Sequence, residues 1–272
     1  MPLYVVATPI GNLSDLSERA KEVLCRADCV ASEDTRVTRK LLSALELKSP
    51  SKLLRYSSHT EERLLATILE RLSAGEKVVL VSDAGTPCIS DPGEVLVRAC
   101  HQEGHKVEVI PGPSSVASAL SVSGLPATPH HFLGFPPRKT GPLVQWLQGA
   151  GGLSGSLVVL ESPQRTLRFV EQLAAVLPDR QVCFCRELTK LHEEVLLLPV
   201  AELVKNLQAR ERIRGEVVLV IGPGEPARME AEEGPVGSRL KEVAAALAER
   251  WGCSKKEAYE QLLSLEKTRF RD

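Results

Sequence analysis

Two spacings of apolar residues take turns along this chain. Short, nearly continuous apolar runs occur at "LYVVAT", "CVASED", "KLLRYS", "EKVVLVSD" and "KVEVIPG", all within the first 110 or so residues. Such runs predict buried strands. Between them the apolar positions recur every three or four residues, the spacing of an amphipathic helix. "SDLSERAKEVLCRA" is one such stretch, with Ser14 or Asp15 near its N-cap, and "TRVTRKLLSAL" is another. In "HTEERLLATILERLSAG" Leu64, Leu65, Ile68 and Leu72 share a face, and Gly75 stands where a C-cap glycine would. A further helix is predicted around "GEVLVRACHQEG". Strands alternating with helices imply parallel pairing through right-handed crossovers.

The stretch from Ser123 to Pro142 is dense in Pro and Gly and reads as a linker carrying His130 and His131. Beyond it come "SLVVLES", a helix from Gln164 to Val176, "QVCFCREL", "EEVLLLPV", a helix through "AELVKNLQAR", and "GEVVLVIG". "CREL" and "EEVLLLP" lie too close for a helical crossover, so strand directions are mixed here. Near the end, "SRLKEVAAALAERWGCSKKEAYEQLLSL" predicts two helices broken at Gly252, with Ser254 as N-cap. They suit either part of a helix-turn-helix or a helical appendage that docks or dimerises. The expected organisation is α/β, with an N-terminal domain on a mostly parallel sheet over 1–112. A second, mixed α/β domain covers 113–224, and a linker with a small helical segment covers 225–272.

Composition narrows the class. A 272-residue chain that is 43% hydrophobic and 25% charged is ordinary for a soluble globular protein. No apolar run approaches the ~20 residues that cross a bilayer. The opening "MPLYVVATPIGN" lacks the basic start of a signal peptide, so a cytoplasmic chain without a membrane partner is expected. Seven cysteines, an odd number, argue against a complete disulfide framework. Cys25 and Cys29 fall four apart on a predicted helix, and Cys183 and Cys185 alternate on a predicted strand. Neither pair has a second pair at zinc-ribbon spacing. His101 and His105 are four apart, but Gly104 ends their helix, so no metal site is expected. With net charge -1 the molecule as a whole is no polyanion binder. Contact with nucleic acid would fall to local patches: Arg36, Arg39 and Lys40; Arg138 and Lys139; and Lys255, Lys256, Lys267, Arg269 and Arg271.

The unusual residues gather at the predicted carboxyl ends of strands, where parallel α/β sheets bind ligands. "ATPIGN", "SEDTR", "YSSHTEER", "SDAGTP" and "PGPSS" follow the first five strands, and "ESPQR", "RELTK" and "RGE" belong to the second unit. Pro stiffens these turns, Gly permits close approach, and Ser and Thr add short hydroxyls. Neither the P-loop pattern nor G-x-G-x-x-G is present. A polar ligand without a polyphosphate fits better, such as an adenosine or amino-acid-like group held by main-chain bonds.

In their order and spacing, "ATPIGNLSDLSERA", "ASEDTR", "VSDAGTPCISDPG", "VIPGPSS", "ESPQR", "RELTKLHEE" and "RGEVVLVI" resemble the ribosomal RNA small subunit methyltransferase I family. That family belongs to the tetrapyrrole methylase-like, or class III, methyltransferases. The likeness runs from about Leu3 to Ile221. It implies a two-domain class III fold, S-adenosylmethionine in the cleft between the domains, and a homodimer. It also implies methylation of the 2′-hydroxyl of a cytidine in the decoding region of 16S rRNA, within an assembled or nearly assembled small subunit. Carried over, the cofactor meets Pro9, Ile10, Asp83, Ala84, Gly85, Thr86, Pro87, Ile89, Ser114 and Ser115 from the first domain. From the second it meets Glu161, Arg186, Leu188 and Gly215. "SEDTR" and "SSHTEE" would face RNA, with Arg39, Lys40, His59, Arg138, Lys139, Arg165 and Lys190 as candidate contacts.

The chain departs from the family in two places. Gln164 stands where relatives often have histidine, with Val159 and Leu160 in place of an aromatic pair. Thr140, Gly141 and Pro142 follow "PRK" where relatives are more basic, so phosphate contacts lean on Arg36, Arg39, Lys40 and Lys190.

A ribose hydroxyl is a poor nucleophile at neutral pH, so a base beside it helps. Glu33 or Asp34 is the expected base, with Arg36 gripping a neighbouring phosphate; an internal Asp34–Arg36 pair that shapes the loop is the alternative. Asp83 is expected to hold a hydroxyl, an amino group or its own turn. Two rival functions share these features: a small-molecule methylase acting on a tetrapyrrole or corrinoid, and a non-catalytic ribosome-binding factor.

Overall fold

A computed structural model describes residues 1–224, together with 248, 254–257 and 259. Strands β1 (Leu3–Val6), β2 (Cys29–Ser32), β3 (Lys52–Arg55), β4 (Val78–Val81) and β5 (Val107–Ile110) form one sheet in the order β3-β2-β4-β1-β5. Every pair in it is parallel, as the alternation predicts. Both faces are covered, which explains the unbroken apolar runs. Leu3, Cys29, Ala31, Val78 and Leu80 face α3 (Glu61–Ser73) and α4 (Glu94–Gln102). Val6, Val30, Val79 and Val81 face α1 (Glu18–Cys25) and α2 (Thr35–Ala44).

The second sheet contains β6 (His130–Phe132), β7 (Ser156–Glu161), β8 (Gln181–Arg186), β9 (Glu194–Pro199) and β10 (Val217–Ile221), ordered β6-β7-β10-β8-β9. Only β6 and β7 run parallel; the other neighbours are antiparallel, including β8 with β9. The period-two pleat sorts its residues. Leu157, Val159, Phe184 and Leu219 lie under α6 (Thr140–Gly151), α7 (Pro163–Val176) and α8 (Val200–Gln208). Val158, Cys183, Cys185, Val218 and Val220 turn the other way, onto α5 (Ser115–Val122) and onto Ile10 from the loop after β1. That inner face brings the strand-end loops of the first sheet against the second. Both sheets belong to one compact unit, Met1–Gly224.

Several sequence expectations change. The N-cap of α1 is Ser17, whose hydroxyl accepts from the Ala20 amide, rather than Ser14 or Asp15. Those two residues lie in a separate 3-10 turn, Leu13–Asp15, capped by Asn12. Cys29 is buried on β2, not on a helix with Cys25. The Pro/Gly-rich stretch is more than a linker, because it holds β6 and opens α6. A proline in a first helical turn is tolerated, since amides there have no partner in the helix. Helix α5 had no counterpart in the pattern: "SVASALSV" is apolar and small on most sides. The helix break at Gly252, Lys267, Arg269 and Arg271 lie outside the described residues. Ser254 is described and pairs reciprocally with Glu257, its hydroxyl accepting from the Glu257 amide at 3.3 Å while Glu257 Oε2 accepts from its N–H at 2.9 Å. No helix among the described residues is long and apolar enough to cross a membrane.

Candidate functional site

Three of the strand-end loops are stitched together. Thr8, after β1, and Gly85, after β4, exchange backbone hydrogen bonds at 2.9 and 3.0 Å. Thr86 Oγ1 donates to the Pro113 carbonyl at 3.0 Å, tying in the loop after β5. Gly85 is left-handed at φ 87°, and a Cβ there would press on Ile10 Cγ2 at 3.3 Å. The glycine thus lets this turn lie against the β1 loop. Pro87 is buried behind the turn, and Ser114 precedes the first turn of α5.

Two of these loops share an unusual backbone. Cys88 (φ 68°) and Ser90 (φ 67°) flank Ile89, and Glu187 (φ 51°) and Thr189 (φ 65°) flank Leu188. Non-glycine residues rarely adopt such angles, and they concentrate where a surrounding structure enforces a functional shape. In both loops the residue between the strained pair is apolar. Ile89 is left exposed over a cavity, whereas Leu188 is buried against Ile10.

That cavity, about 350 Å³, opens between the ends of the two sheets. One side is Ile10, Asp83, Ala84, Ile89, Asp91 and Ser115; the other includes Leu160, Glu161, Gly215 and Val218. Of the expected cofactor residues, Ile10, Asp83, Ala84, Ile89, Ser115, Glu161 and Gly215 therefore converge on one space. Pro9 lines an adjoining hollow with Lys40 and Lys190. Gly85, Thr86, Pro87 and Ser114 support the wall without lining it. Arg186 is elsewhere engaged: its Nε donates to Glu194 Oε2 at 2.9 Å, and Arg210 grips the same carboxylate from the other side. These arginines hold Glu194 down at about 2, and Arg186 Nη1 also donates to the Arg214 carbonyl at 3.3 Å, next to the cavity-lining Gly215.

The carboxylates divide into two kinds. Asp34 caps α2, its Oδ1 accepting from the Arg36 amide at 2.8 Å, and its two oxygens bind the Arg36 guanidinium at 2.6–3.1 Å. Those bonds hold its acid well below the usual range. The internal Asp34–Arg36 pair is thus the arrangement observed. Glu33, Asp83 and Asp91 shift the other way. Burial raises Glu33, with Asp83 and Asp34 adding repulsion. Burial also raises Asp83, opposed by the Asp34 N–H that it accepts at 2.9 Å. Asp91 goes furthest, pushed up to about 6 by burial and then by Glu33. Asp91 was not singled out from the sequence; its only signal was the "SDPG" that closes the β4 loop.

Among the basic residues, Lys190 is held by Glu187 at 2.9 Å and Glu216 at 3.1 Å. Arg39 reaches only Thr35 Oγ1, at 3.5 Å, and Lys40 makes no ion pair among the described residues. His59 is exposed just ahead of α3. Arg138 and Arg165 line a second cavity of about 580 Å³, and Lys139 precedes α6 beside it. Phe135, Glu161 and Ser162 line both this cavity and the first. Phe135 was overlooked because its stretch read as a linker.

The family described as tetrapyrrole (corrin/porphyrin) methylases matches residues 2–204. A protein of Hydrogenobaculum sp. (strain Y04AAS1) named ribosomal RNA small subunit methyltransferase I is 42% identical, over 81% of this chain and 95% of its own. The chain belongs to that family. The protein of the same name from Escherichia coli O157:H7 is 38% identical, over 96% of this chain and 94% of its own. Among solved structures, uroporphyrin-III C-methyltransferase from Thermus thermophilus, complexed with S-adenosylhomocysteine, superposes with a TM-score of 0.56. It is 20% identical and covers 82% of this chain and 97% of its own, a likeness of fold. A cobalt precorrin-4 methyltransferase aligns similarly, with a TM-score of 0.57 at 19% identity over 81% of this chain and 94% of its own. Family membership makes methyl transfer the activity the site has to explain.

Proposed function

We propose that this chain is an S-adenosylmethionine-dependent methyltransferase acting on the ribose 2′-hydroxyl of a cytidine in the decoding region of 16S rRNA. A homodimer and a cytoplasmic setting belong to the same reading, as do the names of the relatives. The observation that carries it is the juxtaposition of the cavity between the sheet ends with Glu33, Asp83 and Asp91, carboxylates whose acids are raised. The cavity fits the methyl donor by its own features. Gly215 lines the space, Ile10, Ile89, Leu160 and Val218 give it apolar walls, and Ser115 and Asp83 offer polar contacts. When bound, the donor supplies an electrophilic methyl group on a sulfonium.

The chain's residues then have three tasks. Ile10, Ala84 and the strained turn at Ile89 orient the donor, and orientation alone can lower the barrier by several kcal/mol. Asp91, which lines the cavity, receives the hydroxyl proton as the ribose oxygen takes the methyl group, with Glu33 beside it raising its basicity. An acid raised toward 6, as Asp91 is, is mostly anionic at neutral pH yet a better proton acceptor than an ordinary aspartate. Asp34 is spent on capping α2 and on Arg36, which takes it out of the role of base. RNA phosphates meet Arg39, Lys40, Arg138 and Lys139, whose charges are not neutralised by an ion pair among the described residues.

Tritiated S-adenosylmethionine and small subunits from cells lacking the protein test this reading. Label on the ribose of one cytidine is the expected result. Label only on a corrinoid or porphyrin would replace the RNA substrate, and no label on either would remove the enzyme.

A further inference from the structure

We propose that the 580 Å³ cavity beside the donor site is the seat of the target nucleobase, with Phe135 as its stacking surface and Glu161 as its reader. The inference rests on the RNA methyltransferase reading above and names how the acceptor nucleotide is held.

Three observations lead there. Phe135 is 61% exposed although it lines both cavities, and a large aromatic ring left in solvent at such a junction offers a flat face to a ligand. Unstacked RNA bases bind on such rings. Pro136 and Pro137 stiffen the backbone behind it, and Arg165 ties their carbonyls at 2.9 and 3.1 Å. The cavity mouth also carries Arg138, a cation suited to the phosphate of the same nucleotide.

The third observation is chemical. Glu161 is 3% exposed and lies in the wall common to the two cavities. Its Oε1 is fixed by the Ser162 amide at 2.7 Å, but its Oε2 accepts no hydrogen bond. Arg165 Nη2 comes within 3.0 Å of that oxygen, yet its hydrogens are directed at the two proline carbonyls. Among the described residues this oxygen has an ion-pair partner but no hydrogen bond, which leaves it able to accept a ligand N–H. Carboxylates accept from the exocyclic amine of cytosine, whereas uracil presents a carbonyl at the same place. Glu161 thus selects cytidine over uridine, while the ribose of that nucleotide faces the adjoining donor cavity, which Asp91 lines.

The test uses the full chain, small subunits with cytidine or uridine at the target position, and S-adenosylhomocysteine for calorimetry. For Phe135→Ala, kcat/KM for subunits falls roughly tenfold or more, by a clearly larger factor than donor-product affinity falls, and Phe135→Trp restores it. For Glu161→Gln, whose amide can donate, the preference for cytidine over uridine drops by at least about tenfold. Subunit methylation at wild-type rate by Phe135→Ala, or unchanged base preference in Glu161→Gln, overturns the proposal and leaves the enzyme reading standing. Absence of transfer by the wild-type chain overturns both.

Discussion

Asp83 Oδ1 accepts the backbone N–H of Asp34 at 2.9 Å, so the turn after β4 is bonded to the turn that opens α2. The two strands are neighbours in the sheet, and their loops leave it at the same edge. One carboxylate therefore sets where Glu33 and Arg36 stand relative to the donor cavity. A carboxylate–amide bond of this kind contributes more than a neutral one.

Asp83→Ala leaves the Asp34 amide without its partner and is expected to destabilise the fold by about 1–3 kcal/mol. Asp83→Asn keeps an oxygen at the same position and should cost less than half as much. Urea midpoints of the two variants check the order. Equal losses would mean that the bond contributes nothing.

The raised acid of Asp91 makes two signatures. Methyl transfer should climb as pH rises through about 6, because the proton-accepting anion forms there, and then level off. Stability runs the opposite way. A folded-state value near 6 against an ordinary 3.8 favours the protonated form, so the contribution is complete below 3.8 and lost as pH rises through 6. Asp91→Asn should therefore be more stable than the wild-type chain at pH 8, with the gap closing by pH 4. Glu33 and Asp83 share the site and will broaden the transition. Chemical denaturation at both pH values reads the difference.

Much of this arrangement was legible in the sequence, and the illegible part has physical causes. Unbroken apolar runs at β1, β2 and β4 read as buried parallel strands because both sheet faces are covered. The short gap between β8 and β9 excluded a helix. Ile10, Asp83, Ser115, Glu161 and Gly215, which the family resemblance implied rather than the pattern, line one cavity. Neither Asp91 nor Phe135 was singled out, because each acquires its role only when the chain folds back. Asp91 needs the left-handed turns at Cys88 and Ser90, and Phe135 needs β6 to place it beside β7. Asp34 and Glu33 are adjacent and chemically alike, and only the bond to Arg36 separates capping residue from free carboxylate. Arg186, implied by the family resemblance, pairs with Glu194 across the hairpin and with the Arg214 carbonyl beside Gly215 rather than lining the cavity itself.

That brace is testable. Two arginines hold Glu194 down at about 2 against an ordinary 4.5, so it contributes stability above 4.5 that is lost as pH falls toward 2. Glu194→Gln is expected to lose about 2 kcal/mol at pH 7, with the gap to wild type narrowing in acid. Its affinity for S-adenosylhomocysteine should stay unchanged, which separates the brace from the site.

Gly215 precedes β10 at φ 87°, and a Cβ there would collide with the Glu187 side chain. Gly215→Ala should push Glu187 away from Lys190 and from the Glu216 amide, which it now accepts at 2.8 Å. The expected outcome is a tenfold or greater loss of donor affinity with a smaller change in thermal midpoint, since the strain falls on a loop rather than the core. A variant that binds the donor normally would remove this loop from the site.

Calorimetric titration of S-adenosylhomocysteine into the wild-type chain and into Ala84→Trp, whose indole would fill the cavity between the sheets, addresses the donor site most directly. One molecule bound per wild-type chain and none by Ala84→Trp is the expected pair of results. Equal binding by both proteins, or no binding by the wild-type chain, would contradict the assignment of that cavity to the methyl donor.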